Sequence, residues 1–226
     1  MAKIKLGAIV TDIRGKLGGH VFSKNRSGAY MRTKVTPTNP QTSYQSLVRG
    51  IFAAISSAWS SLTDNQRLSF RDKVQQYTST DIFGDIKVPS GKTLHHKLNQ
   101  NLELSGQAQV STCPSPIEVP FANLLEIIGE VSTQELEVTY EGDLTGSEVM
   151  FFATPSLSQG TKFVKNQMRL LGHVAGTTGA AVLIDSMYAA KFGAFELGAN
   201  IVVGVKVINA NGQASPMETL KAQVSA

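Results

Sequence analysis

The chain has 226 residues, 42% hydrophobic and 17% charged, with a formal net charge of +4. That length predicts one or two domains, and the ordinary apolar content excludes wholesale disorder. No apolar run approaches the ~18 residues of a membrane span, and the opening Met1–Gly7 lacks the apolar centre of a secretory signal. The lone Cys113 allows no internal disulfide and no multi-cysteine metal site; with no signal, it fits a chain made in a reducing cytoplasm.

The charge is unevenly spread. Residues 1–112 hold 15 Lys+Arg against 6 Asp+Glu, a net of +9, and residues 113–226 hold 6 against 11, a net of −5. The first 49 residues carry nine basic side chains and one acid, Asp12. Such asymmetry predicts a basic end that meets an acidic partner, whether nucleic acid or the acidic half of a neighbouring copy.

Along the chain, His20–Lys24 and Ala29–Val35 read as short strands around the turn formers Asn25-Arg-Ser-Gly28. Residues 1–37 are too short and too polar to bury a core, so they read as an arm or β-ribbon that needs a surface to lie on. Helix signals begin at Asn39-Pro40. Tyr44, Leu47, Val48, Ile51, Ala54, Ile55, Ala58, Trp59 and Leu62 then form an apolar stripe at three- and four-residue steps. Gly50 within it implies close approach of another backbone. Thr63-Asp-Asn-Gln66 is a capping-box pattern that predicts a second helix, with Phe70, Val74 and Tyr77 on one face. Ser90 or Thr93 caps a third, through Leu94, Leu98 and Leu102. Residues 107–120, with three prolines in the stretch 114–120, read as a stiff extended linker. Seven strands are then predicted: Leu124–Ile128, Glu135–Tyr140, Glu148–Ala153, Met168–Val174, Ala180–Ile184, Ile201–Ile208 and one near Glu218–Val224. Turn residues between them indicate an antiparallel sandwich.

The apparent catalytic motifs do not survive their spacing. Pro89-Ser-Gly-Lys-Thr93 resembles a phosphate loop, but the required first glycine falls on Ile86, and Gly84 is two residues too early. His95 and His96 project about 100° apart on a helix and cannot both ligate one metal without strain. The histidines, His20 included, read as solvated or packing side chains, and His173 sits in a strand with no nearby Ser, Cys or carboxylate motif to form a triad. Asp143, Asp185 and the glutamates of 126–148 lack calcium-loop spacing and read as a wet strand face. Trp59 lies on the apolar stripe and reads as core. No catalytic, cofactor or metal site is predicted. The weight falls on the basic arm and the helix after it, where Lys24, Arg26, Tyr30, Arg32, Lys34 and Arg49 are the candidate partner-binding residues. They suit carboxylates of a neighbouring subunit, phosphates with a base stacked on Tyr30, or plain solvent.

Two resemblances follow. Gly18-Gly-His-Val-Phe-Ser-Lys-Asn-Arg-Ser-Gly-Ala-Tyr-Met-Arg32, with Val35-Thr-Pro-Thr-Asn-Pro-Gln-Thr42 and Ala58-Trp-Ser-Ser-Leu-Thr63, resembles the opening of a family of small proteins from tailed bacteriophages and related bacterial genomes. It lies within residues 18–63, implies a virion component and brings no catalytic residues. Ile201-Val-Val-Gly-Val-Lys-Val-Ile-Asn-Ala-Asn-Gly-Gln-Ala-Ser-Pro216 is similar to the last hairpin of fibronectin type III domains. The early-strand tryptophan common in those domains is missing, so the resemblance implies an immunoglobulin-like sandwich, a fold that serves adhesion or decoration on phage particles.

The expectation is therefore an α+β protein of two domains: a basic β-arm (1–37) and three-helix unit (38–106), a Pro-rich linker (107–120), then an all-β immunoglobulin-like sandwich (121–226). Its expected role is a non-enzymatic, multi-copy virion component made in the host cytoplasm, in a neck or tail ring rather than as capsid decoration. Its expected partners are copies of itself and other virion proteins, with no membrane, cofactor or small-molecule substrate. The alternative is a nucleic-acid-binding protein that uses the basic half. A glycan-active enzyme comes third and would need a cleft with paired carboxylates.

Overall fold

Asn25 and Gly28 close the first hairpin. The Asn25 side chain accepts the Ser27 N–H at 2.9 Å, and Gly28 takes φ 103°, which a side chain would resist. The hairpin belongs to a computed structural model that describes residues 2–7, 10, 12–81, 83–161 and 163–225. The chain forms two compact units, Met1–Arg49 with Ser79–Lys87, and Gly50–Thr78 with Val88–Ala226.

The first unit is a four-stranded antiparallel sheet in the order β1-β4-β3-β2, from β1 (Ala2–Lys3), β2 (Gly15–Leu17), β3 (His20–Asn25) and β4 (Gly28–Thr33). It also holds the start of helix α1 (Ser43–Ser61) and a small hairpin of β5 (Ser79–Thr80) and β6 (Ile86–Lys87). None of its described residues is buried. The strands are too short and too rich in Gly, Lys and Arg to enclose an apolar centre.

In the second unit, α1 continues to Ser61 and is followed by α2 (Asp64–Asp72), a 3₁₀ turn (Lys73–Tyr77) and α3 (Gly91–Leu104). The capping box forms as expected: the Thr63 N–H donates to Gln66 Oε1 at 2.9 Å, and the Gln66 N–H donates to Thr63 Oγ1 at 3.4 Å. Ser90, not Thr93, caps α3 by accepting the Thr93 N–H. Phe70, Leu94, Leu98 and Cys113 make the helical core, with Trp59, Leu62, Val74 and Tyr77 against it. The apolar stripe of α1 is covered at Ile55 but open nearer its start, where Leu47 is 53% exposed. A Cβ at Gly50 would meet nothing within 4 Å, so the backbone approach expected there is not made by any described residue.

Residues 107–120 hold no helix or strand and are strapped down. Asn99 accepts the Val110 N–H at 2.7 Å and donates to the Val110 carbonyl at 3.2 Å. Lys73 donates to the Cys113 carbonyl, and the Tyr77 hydroxyl to that of Pro114.

Two antiparallel sheets follow, β11-β8-β7 and β10-β9-β12-β13. Their strands are β7 (Asn123–Glu130), β8 (Glu135–Glu141), β9 (Ser147–Ala153), β10 (Arg169–Ala175), β11 (Ala180–Leu183), β12 (Asn200–Asn209) and β13 (Glu218–Gln223). All seven expected strands are present. Alternate residues fill one core: Leu136, Val138 and Tyr140 from β8, Val149 and Phe151 from β9, and Ile201, Val203, Val205 and Val207 from β12. Helix α4 (Asp185–Phe192) is unexpected from the residues; it lacks a side-chain cap and buries just Tyr188. The other face of β12 is also covered. Gly212, at φ 76°, brings the turn after β12 against α3, where an added Cβ would lie 2.4 Å from the Leu98 carbonyl oxygen. Asn101 donates to the Gly212 carbonyl at 2.8 Å.

Candidate interaction surface

Strand register decides which of the basic residues act together. Cross-strand partners point to the same side of an antiparallel sheet, and neighbours along a strand alternate. Tyr30 pairs with Ser23 and with Lys3; Arg32 pairs with Val21, which pairs with Lys16. Tyr30, Arg32, Lys3 and Lys16 therefore share one face. Lys24 pairs with Ala29 and lies on the opposite face, the side of Phe22 and Met31. Arg26 sits in the hairpin turn. Lys34 follows β4, its N–H donating to the Gly19 carbonyl at 2.8 Å. Arg49 lies on α1 rather than on the sheet, donating to Asn39 Oδ1 at 3.0 Å. The six predicted residues thus form no single cluster.

The carboxylates of this unit are already engaged. The unit holds ten basic and three acidic residues. Asp12 pairs with Arg14, Asp85 with Lys5, and Asp81 with Lys3. Asp81 also accepts the N–H groups of Phe83 and Asp85. The Lys3 ammonium first, and the Phe83 N–H next, hold its carboxyl below the usual range. Lys5 Nζ lies 5.6 Å from the centre of the Phe83 ring. Lys16, Lys24, Arg26, Arg32 and Lys34 have no carboxylate partner among the described residues. The part played by Asp81 and Asp85 was invisible in the sequence, because they lie about 80 residues from the lysines they meet.

Elsewhere, the histidines take packing and pairing positions. His95 is buried between Trp59 and Phe70, with ring centres 5.2 Å and 5.1 Å away. Trp59 packs edge-on to Phe70 as well. His96 Nε2 lies 3.2 Å from Ser56 Oγ. His173 does have a carboxylate beside it, which the sequence reading did not find: Nδ1 is 3.1 Å from Glu148 Oε2, brought there by the pairing of β9 and β10. Asp143 accepts from Thr145 and Thr178 and fastens a turn. No group of three or more His, Cys, Asp or Glu is placed to hold a metal ion among the described residues. No helix among them is long and apolar enough to cross a membrane.

No family model and no curated protein matches the chain. Among solved structures, a family 76 glycoside hydrolase from a bovine Bacteroides thetaiotaomicron strain is similar at 11% identity and a TM-score of 0.32. That match covers 46% of this chain and 21% of the hydrolase chain, and at that score it carries no argument about activity.

Proposed function

We propose that this protein is a multi-copy structural component of a tailed-phage particle that docks through its basic N-terminal unit. The observation that carries the reading is that this unit folds as four paired strands with surplus cations yet has no buried described residue. A sheet without a core gains its stability from what covers it, so the cost of ordering falls to an assembly contact. The acidic half of a neighbouring copy, with its net charge of −5, offers the complementary charge. The exposed Leu47 of α1 adds apolar area to such a contact. The resemblance of residues 18–63 to phage proteins supports the virion setting, and an arm of this length suits a neck or tail ring better than capsid decoration.

The C-terminal domain is read as an immunoglobulin-like sandwich. Three strands in the order β11-β8-β7 facing four in the order β10-β9-β12-β13 support that reading.

Mass measurement of the full chain and of a version lacking residues 1–37 tests the assembly role. The full chain should form a defined oligomer, and the shortened one should remain a monomer. If both stay monomeric at high concentration and neither joins particles, the reading fails. A second reading, nucleic-acid binding, is favoured by the face shared by Tyr30, Arg32, Lys3 and Lys16. It requires DNA affinity that falls log-linearly with salt, and an absence of binding at low salt removes it.

A further inference from the structure

Strand β12 contains one charged residue, Lys206, in an otherwise apolar run of Val, Ile and Gly. It points away from the sandwich core, on the face that α3 and the turn after β12 partly cover. Lysine is rarely placed in such surroundings without a carboxylate partner. Here neither Lys206 nor Lys97, which reaches the same place from α3, forms an ion pair among the described residues. Both residues line a cleft of about 630 Å³. Glu118 is the one carboxylate in the lining, and it pairs with neither.

Gln213 and Tyr77, also in the lining, are already satisfied. Gln213 accepts the Ile117 N–H at 2.8 Å and donates to the Tyr77 hydroxyl and the Ser115 carbonyl. The Tyr77 hydroxyl donates onward to the Pro114 carbonyl. These bonds fix the strap against the turn after β12, so the walls stand ready before any ligand arrives. Ile117 and Phe121 line the opening and are largely exposed, while Leu98 and Val119 lie deeper. The cleft thus has apolar walls, a satisfied Gln213–Tyr77 pair and two cations, the half-buried Lys206 and the exposed Lys97, with no ion pair among the described residues.

We propose that this cleft binds an amphipathic carboxylate, with the anionic head between Lys97 and Lys206 and an apolar body against Ile117, Val119 and Phe121. A carboxylate supplies the acceptors that both amines lack, and the apolar body covers the exposed side chains at the mouth. Burial first, and the charge of Lys97 next, push the Lys206 amine below its ordinary range, a cost that a bound anion would relieve. The proposal does not rest on the assembly reading, because every residue in it lies within the second unit.

The test is calorimetric titration of the full chain with octanoate and with octanol, alongside amide chemical shifts of Gly212 and Ala214. Octanoate should bind and shift both amides, and octanol should bind roughly tenfold more weakly or not at all. Lys206→Met should lower octanoate to the level of octanol, while Lys206→Arg should keep most of the affinity. If Lys206→Met fails to fold, Lys97→Met, at an exposed helix position, should weaken octanoate several-fold in its place. A short apolar peptide with a free C-terminus, compared with its amide, separates the two sources of such a carboxylate. Tighter binding of the free peptide than of octanoate assigns the site to a chain end, and the reverse assigns it to a small amphipathic acid. Equal binding of octanoate and octanol, or octanoate affinity unchanged in both Met variants, overturns the proposal.

Discussion

Mild acid should destabilise the protein through His95. Its side chain is 1% exposed, packed between Trp59 and Phe70, and its Nδ1 is buried without a hydrogen-bond partner. Protonation would place a cation there with no acceptor for the new N–H. Burial chiefly, and the neighbouring His96 secondarily, lower its pKa to about 4. An unfolded chain protonates the same ring near pH 6.5, so it takes up the proton first and acid favours unfolding. The stabilising effect of the neutral ring is complete above about pH 6.5 and is lost as the pH falls towards 4. Integrated over that interval, the loss is about 2 kcal/mol between pH 7 and pH 5, and about 3 kcal/mol by pH 4. The carboxyls of Asp81 and Asp143 are also lowered, but their effect appears at lower pH, below the ordinary carboxylate range. Urea unfolding followed by the fluorescence of Trp59, at pH 7 and pH 5, measures the slope. His95→Gln supplies a side chain of similar size that does not titrate. The original protein should lose about 2 kcal/mol more than the variant over this range. Equal losses would refute the reasoning, as would an NMR titration that placed His95 near pH 6.5.

Two further substitutions test how the strap and the turn after β12 are held. Gly212→Ala puts a Cβ 2.4 Å from the Leu98 carbonyl oxygen at a positive φ, and should cost about 2 kcal/mol or more in urea unfolding. An unchanged midpoint would mean that the turn does not press on α3. Asn99→Ala removes both bonds to Val110 and leaves that N–H and carbonyl without partners, a loss of about 2–3 kcal/mol. Hydrogen exchange at the Val110 amide should rise with it, and a protected amide in the variant would count against the assignment.

Local signals were legible because they are complete within a few residues. Asn25 and Gly28 carry the turn chemistry of the first hairpin by themselves, and Thr63 with Gln66 closes a reciprocal cap. The seven strands were readable because β8 and β9 meet a single core, where alternation or a short apolar run separates the buried set from the turns. Helix α4 was not readable. It has no capping side chain, and Tyr188 alone is buried, so its eight residues carry too little period to stand out. The strapping of residues 107–120 was equally hidden, since Asn99, Lys73 and Tyr77 give no sequence sign of which backbone groups they will meet.

The charge count of the N-terminal region was legible, but its disposition was not. Counting places nine basic residues in the first 49, yet it cannot show that Asp81 and Asp85 return to Lys3 and Lys5. That return uses up the local acids and leaves Lys16, Lys24, Arg26, Arg32 and Lys34 as a surplus on both faces of a thin sheet. Lys206 illustrates the converse. In a strand with one wet face its position would read as ordinary solvent exposure, and alternation alone assigns it there. Because α3 covers part of that face, the same lysine instead lines a cleft with Lys97, and a residue that looked incidental becomes one that an anion can satisfy. The two surfaces follow one rule: what matters is the charge left over after the fold has paired its own acids, and pairing is settled by tertiary contacts rather than by composition.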